Sequence, residues 1–149
     1  MKIINEARVE FMSLGQNEAF SRAIVANFAN QIDMTVEDLA DIKTSVSEAV
    51  TNAIVHGYRG TIGCIELFCR IYKNKKEYIL EIIIKDNGKG IKDIEKAREP
   101  LWTSAKEEER SGMGFTVMET FMDTVAVSSN IGRGTTVTLR KKFAITESE

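Results

Sequence analysis

Nowhere in the 149 residues do about 18 apolar residues run together, so no membrane-spanning helix is expected. The N-terminus also lacks the apolar core of a signal peptide, and both absences point to a soluble, cytoplasmic protein. Cysteine is scarce, and the two present, Cys64 and Cys69, suit that compartment. In a strand-like segment their odd spacing sends them to opposite sides, so they cannot easily pair. With His56 the only histidine, a lone C-x4-C makes no credible zinc site, and core packing is expected for both thiols. An excess of either charge is missing too. Lys and Arg number 20 against 22 Asp and Glu, a net charge of −2, so no global basic field argues for nucleic acid. The runs Lys73-Asn74-Lys75-Lys76, Glu107-Glu108-Glu109 and Arg140-Lys141-Lys142 are short and read as solvated turns or strand ends. Neither a Walker G-x4-G-K-[ST] nor a Rossmann G-x-G-x-x-G after the first strand occurs. Internal repeats, linkers and low-complexity segments are absent as well.

What is present is an ordinary globular composition, 43% hydrophobic and 28% charged, long enough for one cored domain over residues 1–149. Residues 7–13 alternate loosely and predict a first strand. Phe20, Ile24, Phe28 and Ile32 keep helical spacing after Asn17, a candidate N-cap, and leave Glu18, Ser21, Arg22 and Asn30 facing outward. Thr35 with Asp38 forms a capping arrangement opening a long helix in which Val36, Leu39, Ile42 and Val46 lead into the Glu48 and Asn52 turn, with Gly57 as its stop. Ile62 to Tyr72 and Tyr78 to Lys85 predict a hairpin, the second strand nearly all apolar and therefore central. A short helix from Asp93 to about Arg98 precedes Pro100, and charge replaces periodicity from Leu101 to Arg110, predicting a loop. A helix follows with the stripe Phe115, Met118, Phe121 and Met122, then strands at about 124–129 and 135–143 and a frayed tail from Ala144. Hairpin-length connections make this an α+β chain: a two-layer α/β sandwich, its sheet mixed but mostly antiparallel, with helices on one face.

The chemistry gathers around the second half of the long helix. Glu48 and Asn52 stand one turn apart on a common face. A carboxylate followed by a carboxamide can serve a magnesium-bound phosphate, with Asn as metal ligand and Glu as base. For the pair alone, a helix-surface hydrogen bond is the simpler reading. Five of the ten glycines then fall in three clusters: Gly88 and Gly90, Gly112 and Gly114, and Gly134. Asp86-x-Gly-x-Gly at a strand end can accept from an exocyclic amine such as adenine's, although an Asx-turn explains it equally in isolation. Ser111-Gly112-Met113-Gly114 opens a helix, whose N–H groups cradle phosphate, and Arg110 just before it can neutralise a terminal phosphate. The turn Asn130-Ile131-Gly132-Arg133-Gly134 needs no more than a tight bend.

The ordered set Glu-x-x-x-Asn, Asp-x-Gly-x-Gly, a charged loop into Gly-x-Gly, and Gly-Thr-Thr spans Thr44 to Thr138. It resembles the GHKL ATP-binding family, which includes gyrase-type ATPases, a heat-shock chaperone, MutL and histidine kinases. Each box is weak alone; four in order are specific. Within that family, Ser-Glu-Ala-Val-Thr-Asn-Ala-Ile-Val-His-Gly-Tyr, Glu-Pro-Leu-Trp-Thr and Glu-Arg-Ser-Gly-Met-Gly-Phe resemble the small anti-sigma serine kinases of Gram-positive spore formers. Leu14-Gly15-Gln16-Asn17-Glu18 and Phe20-Ser21-Arg22 extend the likeness to the N-terminus.

The resemblance implies ATP or ADP with Mg²⁺ as cofactors. Asn52 would hold the metal and Glu48 would be the base for a substrate serine. Asp86 would read adenine, Gly88 and Gly90 would shape its pocket, and Thr136 would support it. Arg110 and the backbone of Ser111, Gly112, Met113 and Gly114 would bind phosphates, with residues about 98–111 as the ATP lid. Arg22 would meet the partners: sigma factor F and an anti-anti-sigma factor phosphorylated on serine. A homodimer acting without nucleic acid or membrane is implied. His56 is expected to pack or cap the helix end. A general-stress, sigma B-type kinase and a pure ATP-dependent binding protein remain open. The segment Trp102-Thr103-Ser104-Ala105 departs from the family's lid pattern. No helix pair with a phospho-accepting histidine is present, which argues against a complete histidine kinase.

Overall fold

The computed structural model describes residues 1–91, 93–99 and 114–146. Strand β1 (Lys2–Met12) leads to helices α1 (Asn17–Ala29) and α2 (Val36–Asn52), and a single π-helical turn (Ala53–Gly57) extends α2. Strands β2 (Cys64–Lys73) and β3 (Glu77–Asp86) follow, then helices α3 (Ile94–Ala97) and α4 (Gly114–Phe121) and strands β4 (Thr124–Asn130) and β5 (Gly134–Ala144). The sheet runs β1-β2-β3-β5-β4, and every pairing is antiparallel. The α+β sandwich is as expected, but the described strands contain no parallel pair, so the sheet is not mixed.

One sheet face carries the core, because alternate side chains point the same way. Ile65, Leu67, Cys69 and Ile71 of β2, Leu80, Ile82 and Ile84 of β3, and Val137 and Leu139 of β5 are buried there. Against them lie Val25, Phe28 and Ala29 of α1, Ile42, Val46, Ala49 and Val50 of α2, and Phe115 and Met118 of α4. The α2 capping box forms as predicted: Asp38 N–H donates to Thr35 Oγ1 at 3.0 Å, and Thr35 N–H to Asp38 Oδ2 at 3.2 Å. Asn74 Oδ1 closes the β2–β3 turn by accepting from the N–H groups of Lys76 and Glu77. No helix among the described residues is long and apolar enough to cross a membrane.

Several sequence expectations shift. The first strand begins at Lys2 rather than residue 7, because β2 offers pairing partners along its full length up to Lys73. Asn17 is not the cap of α1; it is the first helical residue, and its Nδ2 donates back to Met12 O. The buried stripe of α1 turns toward Ser21 and Val25, leaving Phe20 48% exposed with its ring edge-on to Phe11. Ser21 is therefore no surface residue, and its hydroxyl donates to Glu18 O. Val36 is 87% exposed because the first turn of α2 precedes its buried stretch. Cys64 is exposed and only Cys69 packs in the core, as alternation along β2 requires. Ala144 ends β5 and Ile145 N–H donates to Lys76 O, so that part of the tail is tied down; residues 147–149 lie outside the described residues.

The opposite sheet face is polar but not empty. Glu81, 2% exposed, sits between its cross-strand neighbours Arg70 and Arg140. Arg140 Nε donates to it at 2.7 Å, Arg70 Nη1 at 3.3 Å and Tyr72 Oη at 3.2 Å. The run 140–142 is thus more than a solvated strand end: Arg140 neutralises a buried carboxylate, and Lys141 Nζ donates to Phe121 O at 2.7 Å.

Candidate nucleotide site

The site lies where the C-terminal half of α2, the loop after β3, the start of α4 and the β4–β5 turn meet. Glu48 and Asn52 are half-buried on α2, beside the buried Ala49 and Val50. A methyl on Gly114 would stand 3.2 Å from Glu48 Oε2 and 3.3 Å from Asn52 Nδ2. The helix pair and the last glycine of the Gly-x-Gly motif therefore share one surface. Arg110, Ser111, Gly112 and Met113, and the proposed lid beyond Glu99, lie outside the described residues.

Past Asn52 the helix widens to a π turn closed by Tyr58 N–H to Ala53 O at 2.9 Å. Such widened turns recur at functional sites. Here the widened turn carries Gly57 against Asp86, where a Cβ would lie 3.0 Å from the carboxylate. Gly57 O accepts from Lys89 N–H at 2.9 Å, and a Cβ on Gly88 would stand only 2.1 Å from that oxygen. Gly90 (φ 80°) lies equally close to Asn130 O, and Gly132 N–H donates to Lys89 O at 2.7 Å. Gly88 and Gly90 thus let neighbouring backbones close on the loop. The β4–β5 turn, legible in sequence only as a bend, pins the loop's far side.

Asp86, at the end of β3, is 5% exposed. Its Oδ1 accepts from Gly88 N–H at 2.9 Å and from Thr135 N–H at 3.3 Å. Burial pushes its carboxyl above the ordinary value, against the downward pull of those two donors. The threonine beside Asp86 is Thr135 and not the expected Thr136. Asp86 pairs with Thr135, whose buried hydroxyl bonds Ser129 at 2.8 Å, while Thr136 pairs with Lys85 and faces the opposite side of the sheet. Gly134 (φ 99°) passes so near Asp86 O that a Cβ would stand 2.0 Å away.

The structure adds Gly57, Tyr58, Ser129 and Thr135 to the residues around Asp86. Gly57 has a signal as a helix stop, and Thr135 and Tyr58 lie inside quoted motifs without a role of their own; Ser129 has none. His56 lies half-buried in the π turn. Arg22 is on α1, its Nη1 held by Glu18 Oε1 at 3.0 Å and near Ser47 Oγ at 3.4 Å, next in sequence to Glu48. Among the described residues, no cluster of three or more His, Cys, Asp and Glu side chains could hold a metal ion.

A helix wall carrying a carboxylate and a carboxamide, a buried aspartate at a sheet end and glycines between them are suited to holding a nucleotide. The family described as "Histidine kinase-like ATPase domain" matches residues 11–141. The protein named "Anti-sigma F factor" of Thermoanaerobacter sp. (strain X514) is 53% identical over 95% of this chain and 96% of its own length. The "Anti-sigma F factor" of Clostridium acetobutylicum is 48% identical over 96% of this chain and 97% of its own. The chain belongs to the histidine kinase-like ATPase family and, within it, to the anti-sigma F factors. The fold alone is shared with two solved structures, each 17% identical. The RsbU and RsbW domains of a Mycobacterium tuberculosis protein align with TM-score 0.59 over 95% of this chain and 33% of that one. The mycobacterial sensor histidine kinase MprB aligns with TM-score 0.54 over 93% and 97%.

Proposed function

We propose that this chain sequesters sigma factor F in an ATP-dependent manner and phosphorylates an anti-anti-sigma factor on serine. One observation carries the reading: Glu48, Asn52 and Gly114 converge at one end of a site whose other end is the buried Asp86. Asn52 and Gly57, the residue against Asp86, follow one another along the same helix, and that order suits a nucleotide lying with its base at Asp86 and its phosphates at Glu48 and Asn52. Asp86 Oδ1 is engaged by two backbone donors, and Oδ2 is the oxygen that would accept adenine's exocyclic amine.

The donor set fits magnesium only in company with phosphate. Asn52 offers one amide oxygen and, among the described residues, no carboxylate cage surrounds it, as is usual where phosphates complete the coordination. Bound there, the ion would neutralise charge on the phosphate oxygens. Arg110 and the backbone N–H groups of Ser111, Gly112, Met113 and Gly114 would hold the β- and γ-phosphates, as the family resemblance implies. Glu48 would accept the proton of the substrate serine hydroxyl as its oxygen bonds the γ-phosphorus and the bond to ADP breaks. Arg22, one helix away and beside Ser47, would meet the partner protein. A homodimer is proposed on the resemblance alone.

The test is incubation of a candidate anti-anti-sigma protein with this chain, Mg²⁺ and ATP, followed by intact mass and site mapping. One added phosphoryl group on a serine supports the reading. Capture of sigma factor F without any transfer would leave an ATP-dependent binding protein. Pulldown of a different sigma factor from cells would move the chain to another regulatory system.

A further inference from the structure

Tyr58 stands between two strands that ought to bond each other directly. The β2–β3 register pairs Ile65 with Asp86, which makes Cys64 and Asn87 the next rung. The two are instead linked through the Tyr58 hydroxyl, which donates to Cys64 O at 2.6 Å and accepts from Asn87 N–H at 2.7 Å. The direction is fixed, because a carbonyl can only accept and a backbone N–H only donate. The ring that delivers the hydroxyl is buried and lies flush against Gly63, where a Cβ would meet Cε1 at 2.2 Å. At its backbone end Tyr58 closes the π turn that brings Gly57 to Asp86. One residue therefore sets both walls around the Asp86 carboxylate, through Gly57 on one side and Asn87 on the other.

We infer that Tyr58 is a positioning residue for purine selection: its hydroxyl holds the Asn87 backbone and thereby aims the Asp86 carboxylate at the base. This rests on the proposed role of Asp86 as reader of the adenine amine. Tyr58 does not itself touch the nucleotide. Without the hydroxyl, Asn87 N–H and Cys64 O lose their shared partner, and the strand end carrying Asn87 is no longer held in place. Asp86 would then turn with it.

The experiment measures the affinities of wild type and Tyr58→Phe for ADP and for IDP, whose base carries a carbonyl oxygen in place of the amine. Partial unfolding weakens both ligands by the same factor, so the ratio of the two affinities reports aim and not folded fraction. Wild type is expected to prefer ADP, and Tyr58→Phe to lose about tenfold of that preference, the scale of one buried hydrogen-bond partner. In the Asp86→Asn background the same change is expected to leave the ratio unmoved, since the residue acts through Asp86. An unchanged ratio in Tyr58→Phe, or an equal loss with and without Asp86, overturns the inference. Wild type with no preference for ADP would instead refute the role of Asp86. Should Tyr58→Phe populate no folded state, Gly63→Ala, which displaces the ring, is read by the same ratio and the same criteria.

Discussion

Gly114 lies so close to Glu48 that a methyl on its Cα would stand 3.2 Å from Oε2, placing the start of α4 and the carboxylate of α2 on one surface. Asn52 Nδ2 is 3.3 Å from the same point. Sequence distance between these residues is large, and the antiparallel sheet with its single helical layer is what brings them together.

Gly114→Ala separates function from stability at that point. Gly114 is the first residue of α4, where alanine's advantage of about 1 kcal/mol in a helix interior is felt only in part, so the thermal midpoint should change little. The added methyl pushes on Glu48 and Asn52 by a few tenths of an ångström, and phosphoryl transfer should fall by about tenfold, less than the roughly hundredfold loss of a full ångström's misplacement. Thermal melts and transfer rates on one preparation check both halves.

Asp86→Asn should weaken ADP binding by roughly ten- to a hundredfold, the scale of a hydrogen bond to a charged group. It should not destabilise the nucleotide-free protein at neutral pH. Burial raises the folded carboxyl above its unfolded value, so the folded state gains from protonation. That gain is complete below the unfolded value of about 3.9 and is lost as pH rises through the raised folded one. Asparagine keeps an Oδ1 for Gly88 and Thr135 without the charge. Melts from acid to neutral pH should show the wild type losing stability relative to Asp86→Asn as pH rises.

Gly88→Ala should be costly in the fold itself. Its Cβ would stand 2.1 Å from Gly57 O, and backbone must move to admit it. A loss of about 1–3 kcal/mol is expected, as for other overpacked sites, together with weaker nucleotide binding. Urea titration measures the first and calorimetry the second.

The two thiols should differ sharply. Cys69 is buried and its pKa is pushed up to about 12 by burial, whereas Cys64 is exposed. Partial desolvation by its neighbours, with Glu10 and Glu66 nearby, also raises Cys64, so its reaction should be slow but complete. A thiol reagent should titrate one group in the native chain and two after denaturation. Two native thiols would contradict the assigned register of β2.

Much of this was legible because local rules and tertiary packing agree along α2. Thr35 and Asp38 mark its start, Ile42 and Val46 its buried stripe, and Glu48 with Asn52 the polar exception. Thr135 and Thr136 show where legibility ends. Two identical neighbours compete in sequence, and only the register against Asp86 decides which faces the core. Glu81 inside an apolar strand gave no warning of burial, because Arg70 and Arg140, which neutralise it, come from other strands. Tyr58 left no periodic signal at all; its role arises from a widened helical turn and a missing ladder rung.

The central claim, that the Glu48 and Asn52 wall is the transfer centre of a protein kinase, is tested most directly with Glu48→Ala. Radiolabelled ATP, Mg²⁺ and the anti-anti-sigma substrate are supplied to wild type and variant, and nucleotide affinity is measured in parallel. The account predicts full transfer by wild type, none detectable by Glu48→Ala, and nucleotide binding retained in both. Complete phosphorylation by Glu48→Ala would contradict it.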